Sequence, residues 1–253
     1  MKSEYLRSDT TKGFTLIELM IALAIGSAIT GTAYLFFTGQ SRSVATQMKQ
    51  ASIQQNLRAA MFILEQEIKK IGYNPSQIRG NAAPGIIATG PGRLSFQADI
   101  NENGAGFNGY GGISGVMQNN KTDPGEIVSI GIKEDCYGNG DEDGDGIADS
   151  FPSRLWRDTA SEHLVIADNI EVVNFEYLDN KGTILTQPVE NTERIKQIQI
   201  TIIARAGSPA GGYKNSRYYY NPQEKEIFKA PGDGFIRGLS TKTIYCRNLM
   251  DQP

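Results

Sequence analysis

Lys12-Gly13-Phe14-Thr15-Leu16-Ile17-Glu18 opens an apolar run that continues to Phe37. Across the 24 residues from Phe14 to Phe37, Glu18 is the only charged side chain. At about 1.5 Å of rise per residue, such a helix crosses a bilayer core of roughly 30 Å. A carboxylate inside it costs about 2.5–3.5 kcal/mol on insertion scales and calls for a partner. The segment before Gly13 is short and charged, with Lys2, Glu4, Arg7, Asp9 and Lys12. In a secretory signal the apolar region precedes the cut and is discarded. Here it follows the glycine. Cleavage between Gly13 and Phe14 would keep the run and create a free α-amine at Phe14, one helical turn from Glu18. In a bundle of such helices, the amine of one can pair with Glu18 of the next.

The stretch resembles the class III signal of type IV pilins and type II secretion pseudopilins, in which cut site, carboxylate and retained helix occur together. The resemblance implies cleavage after Gly13 by a prepilin peptidase and N-methylation of Phe14. It also implies that Glu18 guides docking into a growing filament. The plainer alternative is a single-span anchor with a stray glutamate.

Beyond Phe37 the residues turn polar, and Leu57, Met61, Leu64, Ile68 and Ile71 recur at spacings of 4, 3, 4 and 3. That is the stripe of an amphipathic helix packing on something. Gly72 and Asn74-Pro75 form a stop signal. The expected organisation is a leader over 1–13, a transmembrane or filament-core helix over 14–38, and its amphipathic continuation over 39–74. A β-rich globular domain would follow over 75–253. Gly31 and Gly39 are the expected points of bending. Alternating apolar residues predict strands at Leu94–Ala98, Glu126–Ile132, Leu164–Ala167, Ile170–Leu178, Ile198–Ile203 and Thr241–Asn248. Asp179-Asn180-Lys181-Gly182 reads as a turn. The fold class is α+β, with a long N-terminal helix packed on an antiparallel sheet and loop-rich insertions. By resemblance it would have the ladle shape of pilins.

Two further stretches narrow the resemblance. The helix end, Arg58 to Tyr73, is similar to that of PilW-type minor pilins, with Glu67, Lys69 and Ile71 standing where Asp, Arg and Ala are usual. The segments Ala167–Tyr177 and Ile195–Arg205 are similar to a strand pair of the same type. This resemblance implies a minor pilin that primes or supports pilus assembly at or near the tip. Its partners would be the prepilin peptidase, the inner-membrane assembly platform, other minor pilins and the major pilin. The globular part would be periplasmic before assembly and at the cell surface after it. A J-type pseudopilin of a type II secretion system is the alternative. A calcium-dependent adhesion module on a pilin stem is another, motivated by the acidic loop and by the glycine-rich segment 104–115.

The net charge is −3. The leader, with three basic and two acidic residues, contributes +1, so the processed chain would carry −4. That balance argues against bulk nucleic-acid binding. Tyr213–Tyr220 mixes bases with aromatics, which would suit stacking on a single strand, but an edge strand explains it more simply. His163 is the only histidine. With no nucleophile–base pair in view, an enzyme is not expected. Two cysteines, Cys136 and Cys246, point to one disulfide in an exported domain, the alternative being two buried free thiols.

Asn139 to Ser150 holds the remaining chemistry. Asp141, Asp143 and Asp145 alternate, Gly146 follows, and Asp149 comes three residues later. Alternate carboxylates before a glycine turn can wrap oxygens around a hard cation, as in an EF-hand loop. On that template Asp141, Asp143 and Asp145 supply side-chain oxygens, Ile147 its carbonyl, and Asp149 binds directly or through water, for a structural Ca2+. The twelfth position is Pro152, so the usual bidentate Glu is missing. The alternative is an acidic, solvated turn.

Overall fold

A computed structural model describes residues 13–73, 85–98, 127–133, 140–160 and 162–249. Helix α1 spans Leu16–Lys69 and runs through Gly31 and Gly39 without interruption, so neither breaks it. The chain divides into two compact units, residues 1–48 and 49–253.

The described part of the first unit is almost entirely helix. Its apolar side chains, among them Ile17, Leu23, Ile29 and Phe37, are exposed. The helix is long and apolar enough to cross a membrane. Its hydroxyls fold back onto its own carbonyls: Ser27 Oγ donates to Ala24 O, Thr30 Oγ1 to Gly26 O and Thr32 Oγ1 to Ala28 O. Polar groups satisfied within the segment are what an apolar solvent demands.

In the second unit α1 changes character. Ile53, Leu57, Ala60, Met61, Leu64 and Ile68 are buried, and Ile71 joins them just past the helix. The predicted stripe is therefore the helix face that enters the core. The last turn tightens as Lys70 N–H donates to Glu67 O and Ile71 N–H to Ile68 O. Gly72 then takes φ 74°, a left-handed value that glycine adopts without a Cβ penalty. Asn248 Nδ2 donates to the carbonyls of Lys69 and Ile71 and closes the helix end.

Ten strands follow among the described residues. A five-stranded sheet has the order β1-β2-β3-β4-β5, from Ile86–Thr89, Leu94–Gln97, Ile127–Lys133, Arg154–Asp158 and His163–Asp168. A three-stranded sheet has the order β10-β7-β6, with β6 at Ile170–Leu178, β7 at Gln197–Arg205 and β10 at Arg237–Tyr245. A ribbon pairs β8 (Tyr218–Tyr220) with β9 (Glu226–Lys229). Every pairing is antiparallel.

The single expected sheet is thus three. The switch from the first to the second happens at Asn169, the one residue between β5 and β6, which sits at φ 55°. Asparagine tolerates this left-handed geometry better than most residues, and one such residue turns the chain out of one sheet and into another. The stripe of α1 and the inner faces of both larger sheets share one core. A Cβ on Gly238 of β10 would lie 2.7 Å from Ile53 Cγ2, so glycine is what lets this strand approach the helix. Arg157 of β4 reaches Glu67 of α1 at 2.9 Å in a buried ion pair.

Tyr213–Tyr220 contains β8, where Tyr219 is buried against Phe228 with ring centroids 6.1 Å apart. The expected strand is present, while Tyr213, Tyr218 and Tyr220 are exposed. His163 opens β5 and meets Asp158 at 2.9 Å. The glycine-rich segment 104–115 lies outside the described residues.

Candidate functional site

Two places carry the expected chemistry. The first is the start of α1. Thr15 stands at the N-cap and Glu18 three residues later, and each satisfies the other's backbone. Thr15 N–H donates to Glu18 Oε2 at 3.0 Å, as does the Thr15 hydroxyl, while Glu18 N–H donates to Thr15 Oγ1 at 3.3 Å. This is a capping box, which pairs two of the orphan donors of a helix start. Reading the stretch for its carboxylate alone overlooks Thr15. The Thr-x-x-Glu spacing is its signal. Gly13 and Phe14 precede the helix, and Phe14 is 92% exposed, so the bond between them lies at an open, non-helical position.

The second place is the acidic loop. Gly144 and Gly146 take φ 75° and 89°, and these two glycines give the loop its turns. Asp145 N–H donates to Asp143 Oδ1 at 3.1 Å and Ile147 N–H to Asp145 Oδ1 at 2.7 Å. Glu142 N–H donates to Asp149 Oδ2 at 2.7 Å, and Asp149 N–H closes onto Gly140 O at 2.9 Å. The loop is bound to β6 on one side: Val173 N–H donates to Gly146 O and Ala148 N–H to Glu171 O. Its other side meets the β1–β2 turn. A Cβ on Gly92 would lie 2.2 Å from Asp141 Oδ2, and one on Gly146 would lie 2.1 Å from Val173 O. That turn is itself fastened to β6, since Phe175 N–H donates to Pro91 O and Tyr177 Oη to Gly90 O.

Of the expected ligands, Asp141, Asp143 and Asp149 converge, each offering an oxygen within 4.8 Å of the others. Asp145 lies outside this group and holds the turn through Ile147. Burial pushes the Asp141 carboxyl up to about 6, helped by the charges of Asp145 and Asp143, although the Gly146 N–H at 3.1 Å favours its charged form. Asp145 is also raised, chiefly by burial. Cys246 is a free thiol buried in the core, and burial pushes it up to about 12. The structure therefore has Cys246 unbridged, and Cys136 lies outside the described residues.

The family described as "Prokaryotic N-terminal methylation motif" matches residues 10–34. The match begins before the Gly13–Phe14 bond and covers Glu18 and most of the exposed apolar run. This is a prepilin signal. The motif implies processing by a peptidase, and the apolar helix behind it fits membrane association. No curated protein matches it. Among solved structures it is similar to a type IV-like pilin, TTHA1219 from Thermus thermophilus, at 14% identity and a TM-score of 0.45, over 78% of this chain and 96% of that one.

Proposed function

We propose that this prepilin is a minor pilin of the PilW type, a structural subunit rather than an enzyme, that primes or supports type IV pilus assembly at or near the tip. The observation that carries the reading is the apolar run Phe14–Phe37, with Glu18 as its sole charge, starting just after the Gly13–Phe14 bond. In a membrane lipid covers an apolar surface of this kind, so packing among helices there relies on close fit and polar pairing. Glu18 supplies the polar group. Once a prepilin peptidase has freed and methylated the Phe14 amine, that amine and Glu18 of a neighbouring subunit form a pair that sets register. Before assembly the helix holds the chain in the inner membrane with its globular part in the periplasm. After assembly the chain lies in the pilus at the cell surface, between other minor pilins and the major pilin. The helix-end and strand-pair resemblances support this type over a J-type pseudopilin.

The test is a deletion strain complemented with wild type or Glu18→Ala, with surface pili counted. Wild type is expected to restore pili and Glu18→Ala to fail. Equal restoration would overturn the role given to Glu18. Loss of protein secretion with normal pili in the deletion strain would instead favour the pseudopilin.

A further inference from the structure

We propose that Asp141, Asp143 and Asp149, with the backbone carbonyl of Ile147, hold one Ca2+ ion that rivets the 140–149 loop between the two larger sheets. The three carboxylates bring oxygens within 4.8 Å of one another. Like charges held that close repel unless a cation lies among them. A second observation points to a ligand independently. Asp141 is only 8% exposed, and its Oδ1 is buried with no hydrogen-bond partner. Its Oδ2 is occupied by Gly146 N–H, so the orphan oxygen is the one free to coordinate. A buried acceptor without a donor is destabilising, and more so when charged. Here the missing partner is a cation.

The fourth donor follows from the backbone. Ile147 bridges Val172 in antiparallel fashion, and the flanking bonds use Gly146 O and Ala148 N. In such a ladder the N–H and C=O of the central residue turn away from the partner strand. The Ile147 N–H indeed meets Asp145 Oδ1 on the loop side, and its carbonyl faces the same way. The donor set is all oxygen, hard and of irregular spacing, which suits Ca2+ with six to eight ligands better than Mg2+ with its strict octahedron. A cavity of about 150 Å3 borders the loop, lined by Ser129, Gly131, Lys133, Asp141 and Asp143, and gives room for waters to complete the shell. Lys133 is engaged by Asp158.

Position gives the ion its effect. The loop touches β6 at Gly146 and Ala148 and the β1–β2 turn at Gly92, so an ion that fixes Asp141 fixes both contacts. Asp145 acts differently from the other three. It shapes the turn that aims Ile147.

The experiment uses the full chain in detergent, stripped with chelator and titrated with Ca2+ alone or Mg2+ alone. Thermal unfolding and calorimetric binding are the readouts. Ca2+ is expected to raise the melting temperature and to do so more than equal Mg2+. Asp141→Asn and Asp143→Asn are each expected to weaken Ca2+ binding roughly ten-fold or more. Glu142→Gln, a neighbouring exposed acid outside the converging group, is expected to leave it unchanged. Asp143 is exposed, so its variant reports on binding even if Asp141→Asn fails to fold. Absence of a Ca2+-dependent shift, or equal loss for Glu142→Gln and Asp143→Asn, would overturn the proposal.

Discussion

From Leu16 to Met48 the apolar side chains of α1 are exposed, whereas from Lys49 to Lys69 the same helix buries Ile53, Leu57, Met61, Leu64 and Ile68. The backbone is continuous, so conformation does not distinguish the two stretches. The pattern of side chains does. The second stretch carries apolar residues on one face at helical spacing and finds its partners inside its own chain. The first is apolar all round as far as Phe37, and a helix of that kind needs partners from outside, lipid or other helices. Glu18, the one charge between Phe14 and Phe37, is capped by Thr15. Glu67, the buried charge in the second, is paired with Arg157.

The largest expected effect sharpens this contrast. Leu64→Ala empties a fully buried site and is expected to cost about 2–5 kcal/mol in denaturant unfolding of the globular unit. Leu23→Ala removes the same atoms from an exposed site and is expected to stay within about 0.5 kcal/mol in that measurement. Equal losses would break the distinction. Glycines offer a second version of it. Gly146→Ala forces a side chain to φ 89° and against Val173 O, and is expected to destabilise by about 1–3 kcal/mol. Gly26, with open space around its Cβ position, is expected to accept alanine without loss.

A smaller effect depends on pH. Glu65 on α1 meets Lys242 of β10 at 2.5 Å and Lys69 at 2.7 Å. The hydrogen bonds from Lys242 and then Lys69 bring its carboxyl down from 4.5 to about 2. A folded value below the unfolded one means the contribution is whole above pH 4.5 and is lost as pH falls toward 2. The difference in urea midpoint between wild type and Glu65→Gln is therefore expected to be constant near neutrality and to shrink across that window. A difference that grows on acidification would contradict the pairing. The smallest effect is chemical. Cys246, buried and raised to about 12, is expected to resist alkylation until the chain unfolds. A native mass two hydrogens below that of the reduced chain would instead report a bridge to Cys136.

Much of this was legible in the residues. The 4, 3, 4, 3 spacing identified the buried face of α1 because a helix has one periodicity and a core has one side. The alternation in Ile170–Leu178 and in Gln197–Arg205 marked two of the three nine-residue strands of one sheet, although burial on both faces blurs such patterns. Arg154–Asp158 was not legible as a strand. Its sequence Arg-Leu-Trp-Arg-Asp has no apolar alternation; Trp156 reads as a core or interface anchor and is buried, and Arg157 is buried because Glu67, far away in sequence, pairs with it. The division into separate sheets turned on the backbone of Asn169, which no hydrophobic pattern encodes. In the acidic loop the spacing located the residues, but not their separate tasks. Only the fold shows that Asp149 joins Asp141 and Asp143 while Asp145 holds the turn.

The claim on which the rest depends is that the exposed stretch of α1 is kept and made ready for partners by cleavage at its start. The intact mass of the chain after expression with an active prepilin peptidase tests it most directly. The account predicts a single mature species beginning at Phe14 and carrying one added methyl group, and none when the peptidase is inactive. A mature chain that retains Met1–Gly13, or one that has lost the apolar run to Phe37, would contradict it.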